Sequence, residues 1–190
     1  MTGGWRQVQT TDDVVLSYRE YPGSAIPEFR ASTVIEGSRS SVISVMTDFG
    51  SWPEWVYRCD RAQIIQTRGY EEAWIHQVTD LPVVRDRDVI MHAVIRTIDG
   101  DILIEVEAAP DFCDDKESSS CRETDGPYVR VTQMKGTFRI RRHDDGKVEV
   151  LWQQYLDPNG LIPAWMTRMM LDDIPIRSLQ RLKQIVEQEG

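Results

Sequence analysis

The chain has 190 residues, which suits one domain large enough to bury a core or enclose a cavity. Its 22 Lys and Arg against 31 Asp and Glu give a formal net charge of −9 at pH 7, which opposes binding to nucleic acid or to an anionic bilayer. The sequence has no run of about 18 apolar residues and no basic segment followed by a hydrophobic one at its start. It therefore predicts a cytoplasmic protein as it stands, or a periplasmic one if a signal peptide was removed.

The first third of the chain predicts two strands followed by two short helices. Runs 12–21 and 28–37 carry β-branched and aromatic residues in rough alternation, which is typical of adjacent strands. The period then changes, because Ser38 to Ser41 are candidate helix N-caps and apolar residues recur at three- and four-residue spacing up to Gly50. A second helical turn is predicted around Trp52–Trp55, so both short helices follow the second strand.

The remainder of the chain predicts an antiparallel meander and one long helix. Strand-like runs joined by hairpin-like turns lie at roughly 60–68, 72–79, 86–98, 101–109, 127–134, 136–142 and 147–156. Helical spacing extends from Leu161 to Gln188. Because no repeat or linker marks a boundary, we expect residues 1–190 to form one α+β domain, in which a curved antiparallel β-sheet grips the C-terminal α-helix.

Five segments of the sequence resemble those of START domains, the lipid-transfer branch of the helix-grip, Bet v 1-like superfamily. In chain order they read "GSWPEWVYRCDRAQII", "RDRDVIM", "GPYVRV", "KGTFRI" and "DPNGLIPAWMTRMMLDDIP". The resemblance is closest to bacterial members and extends from Trp5 to about Ile185. It implies a helix-grip fold with a hydrophobic tunnel between the sheet and the last helix, which holds one lipid-like molecule and needs no cofactor. Ala93 stands where some sterol carriers have a cavity arginine, which counts against a sterol.

Alternation along the strands and spacing along the last helix select the side chains expected to face this tunnel. The helix carries a methionine-rich stripe, whose flexible thioethers suit a lid over ligands of variable shape. The predicted cavity measures roughly 300 to 1,000 Å³. Its expected lining from the strands is Met91, Ala93, Ile104, Phe138, Val150 and Trp152. Its expected apolar lining from the helix is Met166, Met169, Met170 and Ile176. Plain core packing is the alternative for all of them.

A few polar groups are candidates for orienting the polar end of the ligand. Asp173 falls on the methionine stripe, four residues after Met169, so it should point where the methionines point. Arg130 and one of His76 or Gln77 complete the predicted set, because apolar pockets use a few placed polar groups for orientation. Local capping or pairing is the alternative role for Asp173.

Motifs for catalysis or metal binding do not occur in the sequence. It has no H-E-x-x-H, C-x-x-C, G-x-S-x-G or Walker pattern, so no metal ligand and no catalytic residue is predicted. The charged run 85–88 is expected to form mainly exposed ion pairs, and its Arg87 and Asp88, which match the family's Arg-Asp pair, to have a structural role. Cys59 is predicted to be a small buried hydrophobe, whereas a disulfide between Cys113 and Cys121 is left open.

The favoured function is reversible binding of one lipid or other hydrophobic small molecule, with transfer or sensing as further roles. The alternative is a cyclase- or aromatase-like enzyme that uses the same cavity, with His76 or Asp173 as general acid or base. A ligand-gated interaction module is a third interpretation. No nucleic-acid partner is expected, transient membrane contact is compatible with lipid exchange, and the oligomeric state is left open.

Overall fold

The structure, a computed structural model, describes residues 4–11, 13–112, 127–143 and 145–189. Its strands are β1 (Arg6–Thr10), β2 (Val15–Arg19), β3 (Glu28–Ile35), β4 (Cys59–Arg68), β5 (Glu72–Thr79), β6 (Arg87–Ile98), β7 (Asp101–Ala108), β8 (Val129–Arg130), β9 (Gln133–Arg142) and β10 (Val148–Asp157). Its helices are α1 (Arg39–Thr47), α2 (Trp52–Trp55) and α3 (Ala164–Glu189), with a 3₁₀ turn at Phe49–Ser51.

These elements confirm the predicted α+β helix-grip fold. The strands form one sheet in the order β1-β2-β3-β10-β9-β7-β6-β5-β4, and β8 pairs with β6. Along the path from β1 to β4 every neighbouring pair is antiparallel. Helix α3 packs against β3, α1 and α2. The space between the sheet and α3 therefore contains the hydrophobic core and, at one end, the site described below.

Strand β1 is not predicted by the sequence pattern, so the two short helices follow the third strand and not the second. All five residues of β1 are exposed. A strand with no buried face lacks the alternation of apolar and polar residues by which strands are recognised. Of the candidate N-caps Ser38 to Ser41, Ser38 caps the helix: its side chain accepts a hydrogen bond from the Ser41 backbone N–H at 3.0 Å.

The predicted boundary between strands 127–134 and 136–142 is wrong. The two-residue strand β8 runs parallel to β6, and β9 begins at Gln133 and continues through Gly136. A Cβ atom on Gly136 would lie 3.0 Å from Val106 Cγ2 and 3.2 Å from the Gln153 carbonyl oxygen. Close packing of the neighbouring strands therefore requires a glycine at this position. In the sequence, a glycine within a strand cannot be told from a glycine in a turn, and so the predicted boundary is misplaced.

Helix α3 is continuous from Ala164 to Glu189, and Pro175 lies inside it. Proline removes one main-chain donor from a helix. One turn later, the Ser178 hydroxyl donates to the Ile174 carbonyl at 2.6 Å. The three- and four-residue spacing beyond Pro175 predicts a second apolar stripe, rotated from the methionine stripe. It is buried in the core, with at most 1% of each side chain exposed: Leu179, Leu182 and Val186.

Cys59 is a buried free thiol at the start of β4, as predicted. Burial, and secondarily the charge of Asp60, raises the pKa of the Cys59 thiol to about 12. The thiol is therefore protonated and unreactive at neutral pH. Cys113 and Cys121 lie outside the described residues, so the disulfide hypothesis stays a prediction.

Candidate ligand-binding cavity

A cavity lies between the inner face of the sheet and the first half of α3, where the sequence predicts one. Apolar side chains of the strands form its largest wall: Phe29, Val89, Met91, Val106, Phe138 and Trp152. Helix α2 and the segment after it close one end with Trp52, Trp55, Val56 and Tyr57. The site is thus built from both halves of the chain, and α3 covers it.

The cavity is small, with a volume of about 90 Å³. This volume lies below the predicted range of roughly 300 to 1,000 Å³. The predicted size is therefore wrong for this structure, and a large lipid requires the walls to move.

The wall contributed by α3 has helical spacing. Its residues recur at three- and four-residue intervals and so occupy one side of the helix: Thr167, Met170, Leu171 and Ile174. All four are half-buried, as expected for side chains that border a partly empty space. Met170 is the member of the predicted helix set that belongs to this wall.

The other predicted helix residues do not line the cavity. Met166 and Ile176 are buried, with 0% and 7% exposed, and Met169 and Asp173 are half-buried outside the lining. The sequence prediction counts the spacing of this stripe from Ile162, at intervals of four, three and seven residues, but Ile162 precedes the first residue of α3. Each residue turns a helix by about 100°, so an error of one residue in phase moves the predicted face away from the cavity.

The strand residues predicted as lining share a face, but they do not all lie at the level of the cavity. Those that line it are Met91, Phe138 and Trp152. Those that pack in the core instead, each at most 5% exposed, are Ala93, Ile104 and Val150. Alternation determines which face of a strand is buried. Alternation does not determine which residues of that face border the cavity. That depends on the side chains that the helices place opposite the strand.

Aromatic rings form the centre of the sheet wall. Trp152 stacks on Phe138 with ring centroids 4.9 Å apart and meets Phe29 edge-on at 5.2 Å. The Trp152 indole N–H donates to the Gln154 side-chain oxygen at 3.2 Å, so its polar atom is satisfied. Such rings offer a rigid apolar surface to an aliphatic chain or a fused ring.

His76 and Arg130, both predicted to orient a ligand, bind the buried Asp88 instead. Arg130 donates to Asp88 from Nε at 3.0 Å and from Nη2 at 2.8 Å, and His76 Nε2 lies 2.9 Å from Asp88 Oδ2. Burial alone would raise the pKa of Asp88, but the hydrogen bonds with His76 and Arg130 hold it below its ordinary value. Arg130 and Asp88 are Cα partners, so this cluster fastens β8 to β6. Neither His76 nor Arg130 lines the cavity.

Arg87 is a cavity residue for which the sequence analysis expects a structural role, within a run expected to form mainly exposed ion pairs. It is only 4% exposed, so it does not belong to the exposed part of that run. Its guanidinium donates to the carbonyls of Pro158 at 3.0 Å, Asn159 at 2.8 Å and Arg85 at 2.5 Å, and so holds the segment that leads into α3. Burial, and then the charge of Arg85, lowers the pKa of Arg87. Arg87 lies two residues before Val89 on β6, so strand alternation could have predicted that it shares the cavity face.

Several polar groups of the lining lie at one end of the cavity. Gln77 is the predicted polar candidate that lines it, and Thr79 follows two residues later on the same face of β5. Thr79 is the Cα partner of Arg87 on β6 and of Cys59 on β4. Tyr57 precedes Cys59 by two residues. The cavity therefore has one long apolar wall and a polar end where β4, β5 and β6 meet.

Two classes of site find no support in the described part of the chain. No group of three or more His, Cys, Asp or Glu side chains there is arranged to hold a metal ion. None of the helices in those residues combines the length and apolar character needed to cross a bilayer. What the lining does provide is apolar surface with a few hydrogen-bonding groups, the usual composition of a small-molecule site.

The fold and this lining define a helix-grip domain with an internal, mainly apolar site. The START domain profile matches residues 2–190, and the chain belongs to the START domain family. An uncharacterized protein of Pseudomonas aeruginosa is 23% identical to it over 185 residues, which cover 96% of this chain and 87% of that protein.

Solved structures share the fold at low sequence identity. A STAR-related lipid transfer protein from Xanthomonas axonopodis superposes with a TM-score of 0.83 and 22% identity, covering 98% of this chain and 100% of that chain. Human StAR-related lipid transfer protein 5 also gives a TM-score of 0.83, with 17% identity and coverage of 98% and 88%. At these identities the likeness shows a common fold and leaves the ligand of each protein to be determined separately.

Proposed function

We propose that the protein reversibly binds one hydrophobic or amphiphilic small molecule in the cavity between its sheet and α3. The observation that carries this proposal is the continuous apolar wall, centred on Phe138 and Trp152, which faces a half-buried side of α3 across empty space. Membership of the START domain family supports a lipid as the ligand class, as do two structural neighbours named lipid transfer proteins.

The small volume of the cavity favours a ligand with a single chain or a compact ring system. Burying one methylene group contributes about 0.8 kcal/mol, so a medium-length alkyl chain can offset the entropy lost on association. Met134 and Met170 both line the cavity, and their flexible side chains can adapt to the shape of the ligand. Larger ligands enter only when the first half of α3 moves outward, which makes this half the lid.

An enzymatic use of the same cavity has less support. The two residues considered as general acid or base, His76 and Asp173, lie outside the lining. Asp88 is part of the lining, but its lowered pKa keeps it ionised at neutral pH. A carboxylate that is held ionised by Arg130, as in Asp88, fits a structural role better than a role in proton transfer near neutral pH. We therefore propose a carrier or sensor that leaves its ligand chemically unchanged.

The substitution Met170→Arg tests this proposal, because it places a long cation in the cavity. We expect decan-1-ol to bind the parent and to bind the variant at least about tenfold more weakly, since a cation displaced from water without a partner is costly and occupies the ligand's space. Trp52, Trp55 and Trp152 line the cavity, so intrinsic tryptophan fluorescence reports occupancy without a label.

Met169→Arg is the matched control. Met169 neighbours Met170 on α3 and is also half-buried, but it lies outside the lining, so this variant should bind decan-1-ol like the parent. If Met170→Arg is folded by circular dichroism and binds as tightly as the parent, the cavity is not the binding site. Native mass spectrometry of protein purified from its host identifies the natural ligand. If the protein converts that ligand into a product during incubation, the proposal of a carrier or sensor is wrong.

A further inference from the structure

Three arginine side chains converge on the ring of Tyr57 at the polar end of the cavity. The guanidinium carbons of Arg177, Arg181 and Arg58 lie 4.8, 5.0 and 5.4 Å from the ring centroid. Arg177 also donates to the Tyr57 hydroxyl at 3.4 Å. These four residues are here named the Tyr57 arginine cluster. Because Tyr57 lines the cavity, the cluster lies at its rim.

The cluster carries more positive charge than its carboxylate partner offsets. Arg58 pairs with Asp80 at 2.9 Å. Within the described residues, neither Arg177 nor Arg181 has a carboxylate oxygen within 4.0 Å, although Asp173 lies one turn before Arg177 on α3. Like charges held close together repel, and contact with one aromatic ring offsets this only in part. Arg177 is exposed and Arg181 is half-buried, so solvent screens part of this repulsion. An anion bound at this point would offset the rest.

Arg58 adds an unmatched donor to the same place. Its Nε is buried, with no acceptor among the described residues, and its backbone φ of 67° is in the left-handed region. An unpaired buried donor costs about 1–3 kcal/mol, and strain of this kind concentrates at ligand sites. Both features are consistent with a position where a ligand supplies the missing negative charge.

The cavity wall next to the cluster carries one arginine, Arg87, and one carboxylate, Asp88. Arg87 lines the cavity and belongs to the same polar end, through its pairing with Thr79. Its guanidinium binds backbone carbonyls, and in the described part of the chain no carboxylate lies within 4.0 Å of it. The charge of Asp88 is already bound by Arg130 and His76, so an anionic group at this end would meet Arg87 inside the cavity and the cluster at its rim.

We infer that the ligand is an amphiphile with an anionic head group, a carboxylate or a phosphate, bound at the rim by Arg177 and Arg181. Its apolar chain lies along the aromatic wall at Phe138 and Trp152. The planar guanidinium group matches carboxylate and phosphate oxygens in a two-point hydrogen bond, which makes arginine suited to this role. This inference rests on the proposed function, because it assigns the chemistry of the head group for the same cavity.

Decanoic acid and decan-1-ol provide the test, since they share a chain and differ in charge at neutral pH. The parent should bind decanoate about tenfold or more tightly than decan-1-ol, measured by tryptophan fluorescence. In Arg177→Gln/Arg181→Gln the affinity for decanoate should fall to that for decan-1-ol, and the affinity for decan-1-ol should not change. This loss corresponds to one or more charge-assisted hydrogen bonds. Glutamine removes the charge and retains high helix propensity.

The double variant Arg168→Gln/Arg142→Gln is the control, because both side chains are exposed and lie outside the cluster. It should bind decanoate like the parent. If the parent binds decanoate and decan-1-ol equally well, the head-group assignment is wrong. It is also wrong if Arg177→Gln/Arg181→Gln weakens the binding of both compounds equally. Either result leaves the proposed function standing. A parent that binds neither compound would overturn both.

A last arm separates a lipid head group from a free anion. Met170→Arg fills the cavity and should abolish decanoate binding, whereas the arginine cluster is intact. Inorganic phosphate or decanoate could instead still bind to Met170→Arg, in a way that requires Arg177 and Arg181. This result would identify a free-anion site and overturn the head-group assignment. Loss of decanoate binding in this variant supports it.

Discussion

The two halves of α3 belong to one continuous helix but have different surroundings. Between Ala164 and Ile174, four half-buried side chains border the cavity, Thr167, Met170, Leu171 and Ile174. Met166 is the fully buried residue of this half. Beyond Pro175 the residues that face the sheet fill the core, each at most 7% exposed: Ile176, Leu179, Leu182 and Val186. The same helix thus serves as cavity wall at one end and as core element at the other.

Both halves of α3 also make polar contacts with distant segments of the chain. In the second half, Ser178 accepts from the Tyr57 backbone N–H at 2.8 Å and Lys183 donates to the Val34 carbonyl at 3.1 Å. In the first half, the Tyr18 hydroxyl donates to the Asp172 carboxylate. Local stability follows buried contacts. The comparison teaches that the fold anchors one half of the helix firmly, so that the other half can border an unfilled site.

The largest expected effect comes from truncating one residue in each half. Leu182→Ala should lower the free energy of unfolding by about 2–5 kcal/mol, because it leaves a void in a fully packed region. Met170→Ala should lower it clearly less, because the side chain is half-buried and already borders empty space. Urea unfolding followed by circular dichroism measures both. Equal losses would contradict the division of α3 into core and cavity halves.

An intermediate effect is expected at the residue that joins the two halves. Ser178 is fully buried, and its hydroxyl serves both the Ile174 carbonyl and the Tyr57 N–H. Ser178→Ala should lower the free energy of unfolding by about 1–3 kcal/mol, since the Tyr57 N–H loses its acceptor. Ser44→Ala is the control: Ser44 is exposed on α1, and alanine there should be neutral or slightly stabilising. A neutral Ser178→Ala variant would show that this hydroxyl does not anchor the helix.

The smallest expected effect is on the pH dependence of stability. Burial, and then the charge of Asp173, raises the pKa of Asp172. The folded state therefore holds this proton more tightly than the unfolded state does, and stability falls as pH rises from the unfolded to the folded pKa. Asp172→Asn should remove this decline and stabilise the protein near neutral pH by less than about 1 kcal/mol, because solvent screens a half-buried carboxylate.

Unfolding measured at several pH values checks this sign. Asp88 provides the opposite case, because its pKa is lowered. Its contribution is fully present above the unfolded pKa and is lost as pH falls through the folded pKa. A variant Asp172→Asn that becomes less stable than the parent as pH rises towards neutrality would contradict the account of Asp172.

The sequence by itself determined the order of most elements and the buried face of each core strand. Alternation placed Met91, Phe138 and Trp152 on the inner face, and three- and four-residue spacing predicted the buried stripe of Leu179 and Leu182. These features are local, because the period of a strand or helix appears within a few residues. The START resemblance extended them to a helix-grip fold with a cavity, which the structure contains.

Only the tertiary structure decided the phase of the first half of α3, the volume of the cavity and the partners of the charged residues. Asp88 and Arg130 are 42 positions apart and meet because β8 lies beside β6. Arg58, Arg177 and Arg181 surround one ring because α3 passes the segment between α2 and β4. Such contacts depend on the register between distant segments, which is set by the combined packing of the whole chain and leaves no periodic pattern in the sequence.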